Sequence, residues 1–483
     1  MTTFGRETIL IDNHWIAAKS GDTYPVSNPA TGEEIGWVAD GDAADTTAAI
    51  DAAAAALPGW RATVARDRAR ILLRSAALLR ERAAEIGRVL TEEQGKPLAE
   101  GVGEIEYSAS FFEWFAGEAE RVEGTIVPAQ RSDQRVLVMR QPVGVTAAIT
   151  PWNFPAAMLA RKIAPALAAG CPMVIKPAEA TPYTALHVAQ ALVDAGLPPG
   201  VLGVITSDRA ADVSSSLFGD GRVRKVSFTG STEVGRLLIK ASAEQIVKLS
   251  LELGGHAPYL VFDDADIDQA VEQVIACKFR NAGQTCVCTN RVYVQRGIAA
   301  EFVAKISAKV AALKVGNGLT DGVVVGPLID ADGLDKAEGH VDDALAKGAE
   351  CLVGGHRLSG GDYGAGYFFE PTVLTGIDAS MRIAQEETFG PVLGLTVFDT
   401  EAEALALANS TPFGLAAYAH TRDHARLFRV AEGLEHGIVG INTGLISAAN
   451  VPFGGVKHSG YGREGGRVGI DEYLVTKYVA ISI

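Results

Sequence analysis

Cysteine is scarce in this chain. Five occur in 483 residues, an odd number and widely scattered, so no disulfide framework is expected and a reducing, cytoplasmic setting follows. Basic side chains are also outnumbered, 43 against 58 acidic, for a net charge of −15. That balance opposes non-specific binding to nucleic acid or anionic lipid, because either partner needs a basic surface. The N-terminal MTTFGRETILIDNHW lacks a basic n-region and an apolar h-region, so no secretory signal is expected. An unbroken apolar span is missing too. The most apolar region, FPAAMLARKIAPALAAGCPMVIKP, contains Arg161 and Lys162 and is interrupted by prolines, so it reads as buried core and not as a membrane span. A metal centre needs about four ligands, usually in two spaced pairs. Beyond Cys286 and Cys288, the remaining Cys171, Cys277 and Cys351 form no second pair, and no metal is expected.

What is present is the composition of a globular protein, 48% apolar and 21% charged, in a chain long enough for two or more domains. Residues 65–93 carry apolar clusters at helical spacing, ended by Gly95 and Pro97. Further on, PMVIK, VLGVIT, KVSFTG and KLSLEL read as strands, with TPYTALHVAQALVDAG and STEVGRLLIKASAE as helices between them. Strand–helix alternation with nearly continuous apolar strands predicts a doubly wound parallel sheet. The pattern resumes after ELGG with the strand APYLVF, the helix DIDQAVEQVIACKFRN and the strand RVYVQ, which predicts a second α/β unit beyond Gly254–Gly255. RVLVMRQ (135–141) and the C-terminal TKYVAISI fit neither unit. They read as strands that reach a neighbouring subunit, the alternative being edge strands within one subunit.

Several short stretches carry chemistry. NAGQTCVCTN places Cys286 and Cys288 in a polar loop between a helix and a strand, where reactive groups tend to sit. LELGGHAP sets Glu252 at the end of an apolar strand, as a cap, an ion-pair partner or, if desolvated, a general base. In TPWNFP two prolines fix the backbone around Asn153, whose amide either satisfies its own turn or donates to a developing oxyanion. FTGSTEVG is not the G-x-G-x-x-G fingerprint, but Gly230 and Ser231 stand at a helix N-terminus, a fair anion site. VIKPAE puts Lys176 and Glu179 just past a strand's carboxyl end, where open α/β sheets bind ligands.

TPWNFP, KPAEATP, FTGSTEVG, LELGG, NAGQTC, EETFGP and PFGGVKHSGYGREGG occur in this order over about 300 residues, and together they resemble the NAD(P)-dependent aldehyde dehydrogenase superfamily. The resemblance implies two doubly wound parallel-sheet domains, cofactor-binding (1–120 and 141–253) and catalytic (254–450), plus a small β oligomerisation arm (121–140 and 466–483) in a homodimer or homotetramer. It implies Cys286 as nucleophile, Asn153 with the Cys286 N–H as oxyanion donors, and Glu252 as the base that hydrolyses a thioester. Trp152, Ser231 and the FTGS turn with Gly230 match pyrophosphate contacts, Lys176 and Glu387 ribose contacts, and Phe389 the aromatic beside the nicotinamide, with Thr150 a further cofactor-binding position. Glu179 favours NAD, since a carboxylate repels a 2′-phosphate, with NADP still possible. ARKIAPALAAG, CKFRNAGQTCVCTNR and TGLISAANVPFGGVKHSG are similar, more narrowly, to the succinate-semialdehyde branch. There Arg161, Arg280 and Ser447 would hold the distal carboxylate of a small aldehyde, a task suited to guanidinium. Glutarate semialdehyde or a broader range of ω-carboxylic aldehydes is the alternative substrate class, and a non-catalytic binding protein the alternative outside enzymes. Cys288 has two readings, a small packed residue or a redox partner that captures an oxidised Cys286.

Overall fold

The computed structural model describes residues 4–483. Residues 1–3, where the range expected for the first domain begins, lie outside the described residues. The β-branched runs of the first half become five parallel strands, in the spatial order Leu202–Val204, Met173–Lys176, Val145–Ile149, Val223–Thr229 and Lys248–Glu252. Ile9–Ile11 and His14–Ile16 add to one edge antiparallel, and Gly460–Tyr461 to the other, completing eight strands. Chain order reverses beside Val145–Ile149. Its successors in sequence run to one side, while Val223–Thr229 lies on the other. The crevice outside the carboxyl ends of these two strands is therefore the switch point at which such sheets take ligands.

The helical run expected over 65–93 is two helices, Ala65–Glu81 and Ala83–Gln94, parted at Arg82, whose backbone leaves the helical region. Gly95, at φ +98, ends the second helix, because a left-handed residue closes a helix at least cost when it has no Cβ. Pro97, expected only as a stop, also precedes a new helix, Leu98–Ala119. That helix buries Phe111, Phe112 and Phe115 against Leu159 and Ile163 of the helix Pro155–Ala169. All fifteen residues of Pro155–Ala169 are buried, Arg161 and Lys162 included. Each large apolar side chain enclosed this way contributes roughly 1.5–3 kcal/mol. Among the described residues no helix is long and apolar enough to cross a membrane.

The chain leaves the first sheet at Glu252, crosses Gly254 and Gly255, and enters a second sheet at Ala257. Seven strands form it, in the order Glu350–Val353, Thr372–Thr375, Val392–Phe398, Thr289–Gln295, Ala257–Val261, Ala416–His420 and Ile438–Ile441. All its pairings are parallel except the first. A third, antiparallel sheet joins Leu474–Ser482 to Gln134–Pro142 over nine residue pairs, with Thr125–Val127 on its far edge. Several of its apolar side chains stay exposed: Ile126 is 76% and Tyr478 64% accessible.

Candidate active site

Two cavities meet at one cysteine. The first, of 340 Å³, is lined by Glu100, Tyr107, Arg161, Arg280, Ser447 and Phe453, among others. The second, of 640 Å³, opens at the switch point of the first sheet, along Trp152, Asn153, Gly230, Ser231, Glu387 and Phe389. Cys286 and Met158 line both. Cys286 is carried by a turn in which the Cys288 N–H donates to the Thr285 carbonyl at 3.0 Å. Just before it, the short helical turn Arg280–Gly283 holds Asn281 and Ala282 at φ 51 and 53, a left-handed backbone that side-chain-bearing residues adopt only under constraint. The constraint is visible: Glu100 accepts from the Asn281 N–H at 2.9 Å, and the Asn281 amide donates to the Asn153 carbonyl at 2.9 Å.

Asn153 is stitched into the same network. Lys96 donates to its carbonyl at 2.8 Å, and its own Nδ2 donates to the Gln284 carbonyl at 3.0 Å. A primary amide has two N–H donors, so one is left for the cavity that Asn153 lines. The Cys286 N–H donates to no described group, a second free donor at the same place. The glycines of LELGG have a local reason: a Cβ on Gly255 would run into the Cys286 carbonyl oxygen.

Burial governs the titratable groups. It pushes the Cys286 thiol up to about 12, with the Glu387 charge adding and the Arg161 charge opposing. Glu387 rises to about 7, again by burial, while the Gly255 N–H, donating to it at 3.1 Å, favours its anion. Glu252 is held well above the usual carboxylate range by burial and then by the nearby Glu464, against Lys162, Arg161 and Arg463. One of its oxygens has no hydrogen-bond partner. The other lies 2.8 Å from where a Cβ on Gly454 would stand. Glu252 lines neither cavity, so acting on a group at Cys286 requires its side chain to swing.

The expected residues divide as follows. Trp152, Gly230, Ser231, Glu387 and Phe389 line the larger cavity, with the Trp152 and Phe389 rings edge to face at 5.6 Å. Thr150, Lys176 and Glu179 do not line it. Thr150 donates its N–H to the Lys176 carbonyl at 3.1 Å, and Lys176 pairs with the 49%-exposed Glu179 at 2.9 Å. Arg161, Arg280 and Ser447 all line the smaller cavity. The two arginines differ. Arg161 is fully buried, lies 4.3 Å over the Phe453 ring, and has Glu464 at 3.6 Å. Arg280 forms no hydrogen bond or ion pair with a described residue, and its guanidinium lies 5.3 Å over the Phe154 ring. Cys288 faces away: its thiol is buried, donates to the Gly283 carbonyl at 3.2 Å, and lines neither cavity. Sequence reasoning missed the Lys162–Glu464 pair beside Glu252 and the polar residues of the helix Leu98–Ala119. Polar residues at helical spacing within an aromatic stretch, Glu100, Glu104 and Tyr107, were the available signal for the latter. Among the described residues no cluster of His, Cys, Asp or Glu could hold a metal ion.

A thiol between two cavities thus lies with two uncommitted N–H donors beside it and a desolvated carboxyl nearby. The chain belongs to the aldehyde dehydrogenase family, whose model matches residues 15–479, and it is an oxidoreductase. It is 53% identical over 478 residues to the glutarate-semialdehyde dehydrogenase of Pseudomonas putida, covering 99% of this chain and 98% of that protein. To the succinate-semialdehyde dehydrogenase [NADP(+)] of Escherichia coli it is 52% identical, with the same coverage. The crystal structure of succinate-semialdehyde dehydrogenase from Burkholderia pseudomallei superposes with a TM-score of 0.97 at 53% identity, covering 99% of this chain and 98% of that one.

Proposed function

We propose that the protein oxidises succinate semialdehyde, or a closely related short aldehyde with a distal carboxylate, to the dicarboxylate with reduction of NAD(P). The observation that carries this reading is the smaller cavity, with the Cys286 thiol at one end and an unpaired guanidinium, Arg280, on its wall. Glutarate semialdehyde, one methylene longer, is the alternative, since a pocket separates such neighbours by only ~1–3 kcal/mol. Relatives named for each at 53% and 52% identity suit both.

In this mechanism the Cys286 thiol passes its proton to water and attacks the aldehyde carbon, and the oxyanion settles between the Asn153 amide and the Cys286 N–H. Such donors are worth about 10²–10³ in rate. A bound nicotinamide dinucleotide supplies the hydride acceptor. Glu252, swung toward the resulting Cys286 thioester, takes a proton from water and the hydroxide displaces the sulfur.

The larger cavity suits a dinucleotide. Backbone N–H groups at the start of the helix Thr232–Ser242, capped by Ser231, would take phosphate, and Glu387 would accept from ribose hydroxyls. Trp152 and Phe389 would wall the nicotinamide end, and Lys176, at the carboxyl end of its strand beside Thr150, would reach a ribose hydroxyl. Glu179 would meet the adenosine ribose. Lys176 offsets part of its charge, so its repulsion of a 2′-phosphate is about 1 kcal/mol at this exposure. We therefore assign NAD as preferred and NADP as accepted.

We further assign 1–120 and 141–253 to cofactor binding, 254–450 to catalysis, and 121–140 with 466–483 to an arm that joins subunits as a homodimer or homotetramer. The exposed apolar face of the third sheet supports the arm. Five free thiols suit a reducing cytoplasm. A guarding disulfide between Cys288 and Cys286 would need the Thr285–Cys288 turn to open. The test is kcat/KM for succinate semialdehyde, glutarate semialdehyde and butanal with each dinucleotide. A preference of about 100-fold for the carboxylated aldehydes is expected from a charge-assisted contact; equal use of butanal overturns the proposal.

A further inference from the structure

The helix Leu98–Ala119 turns one stripe of side chains, Glu100, Gly103, Glu104 and Tyr107, toward the smaller cavity, the i, i+3, i+4, i+7 spacing of a single helical face. Two members of the stripe are already committed. Glu104 accepts from Lys96 at 2.6 Å and from the Ala156 and Ala157 N–H groups at 2.9 and 3.2 Å. Glu100 accepts from the Asn281 N–H at 2.9 Å, and burial raises its pKa against the charges of Lys96 and Arg280, which limits its opposition to an incoming anion.

Tyr107 is committed on one side only. Its oxygen accepts from Arg161 at 2.8 Å, and its ring packs edge-on to Phe111 at 4.9 Å. A phenol has one O–H to donate, and this one donates to no described group. With its lone pair turned to a guanidinium, the hydroxyl proton is left facing the space that Arg280 and Ser447 also line. Arg161, stacked on Phe453 and close to Glu464, is thereby both a cavity cation and the group that aims the phenol.

We infer that Tyr107 is a further specificity-determining residue, which donates its hydroxyl proton to the anionic end of the substrate alongside Arg280. This rests on the carboxylated-aldehyde reading above. Tyr107→Phe removes the O–H and keeps the ring on Phe111, but it also takes the acceptor from the buried Arg161 guanidinium, so the melting temperature should fall modestly and the kinetics are compared well below it. KM for succinate semialdehyde should rise about tenfold, as for loss of one hydrogen bond to a charged group, with kcat and the butanal kinetics unchanged. An unchanged succinate semialdehyde KM overturns the inference, and so does an equal loss for butanal, which would mark a structural role. If wild-type enzyme already treats the two aldehydes alike, the anionic-substrate reading itself fails and takes the inference with it. If wild-type discriminates and Tyr107→Phe discriminates equally, only the role of Tyr107 falls.

Discussion

Replacing Arg280 by alanine is the sharpest perturbation of the proposed substrate site, because the resting protein spends nothing on this side chain. Its guanidinium has no hydrogen bond or ion pair with a described residue and only lies against the Phe154 ring. Truncation breaks no hydrogen bond; it takes from the buried Glu100 one of the two cations that favour its anion and leaves Lys96 as the other, so the loss of stability should stay within about 2 kcal/mol. The substrate loses more. A carboxylate about 4 Å from a guanidinium gains roughly 4 kcal/mol at the effective dielectric of a partly enclosed site. Desolvating both groups takes back a share, leaving roughly 2–4 kcal/mol, or about 30- to 1,000-fold in kcat/KM. Initial rates of nicotinamide reduction measure it, with succinate semialdehyde against butanal in wild type and variant. The loss should fall on KM for the carboxylated aldehyde and leave butanal within about twofold. Equal losses for both would refute the anchor and point to Arg280 as a support for the Cys286 turn. Arg161→Ala is a poorer probe. It would take from Glu464 one of its two cations, leaving Lys162, and empty the space over Phe453; weakening a buried pair costs up to about 3–5 kcal/mol, so activity and folding would fall together.

Two further outcomes follow from the buried titratable groups. With its thiol pushed up to about 12, Cys286 is neutral at physiological pH. Inactivation by iodoacetamide, without dinucleotide, should therefore accelerate about tenfold per pH unit from about pH 7 to 9, and a plateau below about pH 8 would contradict it. Glu252 must be ionised to activate water, so thioester hydrolysis is present above its pKa and lost as pH falls through it. Glu464 is the neighbouring charge that raises that pKa. Glu464→Gln should lower it and extend hydrolysis to more acidic pH, read by acid-quench of the acyl-enzyme; a shift to higher pH would refute the coupling.

What the sequence disclosed and what it hid differ in physical kind. TPWNFP and LELGG are legible because proline and glycine act on the backbone, whatever the rest of the chain does. Asn153 stands in a turn that Pro151 and Pro155 force, and Gly255 is bare because the Cys286 carbonyl passes against it. Alternating strands and helices are legible because buried parallel strands need unbroken apolar runs. The break at Arg82 was not, since both flanking helices share one amphipathic pattern and the change is a local departure of one backbone residue. Nor was the pairing of Lys162 with Glu464, 302 positions apart, which only the packed fold brings about. Glu100 and Tyr107 were hidden differently. Their spacing within an aromatic stretch is a local signal of one shared helical face, but it does not tell a face that meets a cavity from one that meets solvent.

The same physics bears on the two neighbouring thiols. Oxidants attack thiolate, and burial keeps Cys286 protonated in the resting site, so most of its protection needs no second sulfur. Cys288, likewise raised by burial, is turned into the core toward Gly283 and Lys278. A disulfide between them would have to form when the site is activated and the turn Thr285–Cys288 has let go of its 3.0 Å hydrogen bond. Any guarding by Cys288 would then be tied to turnover: the conditions that make Cys286 a nucleophile are those that expose it to oxidation, and only under them would a second thiol have anything to capture.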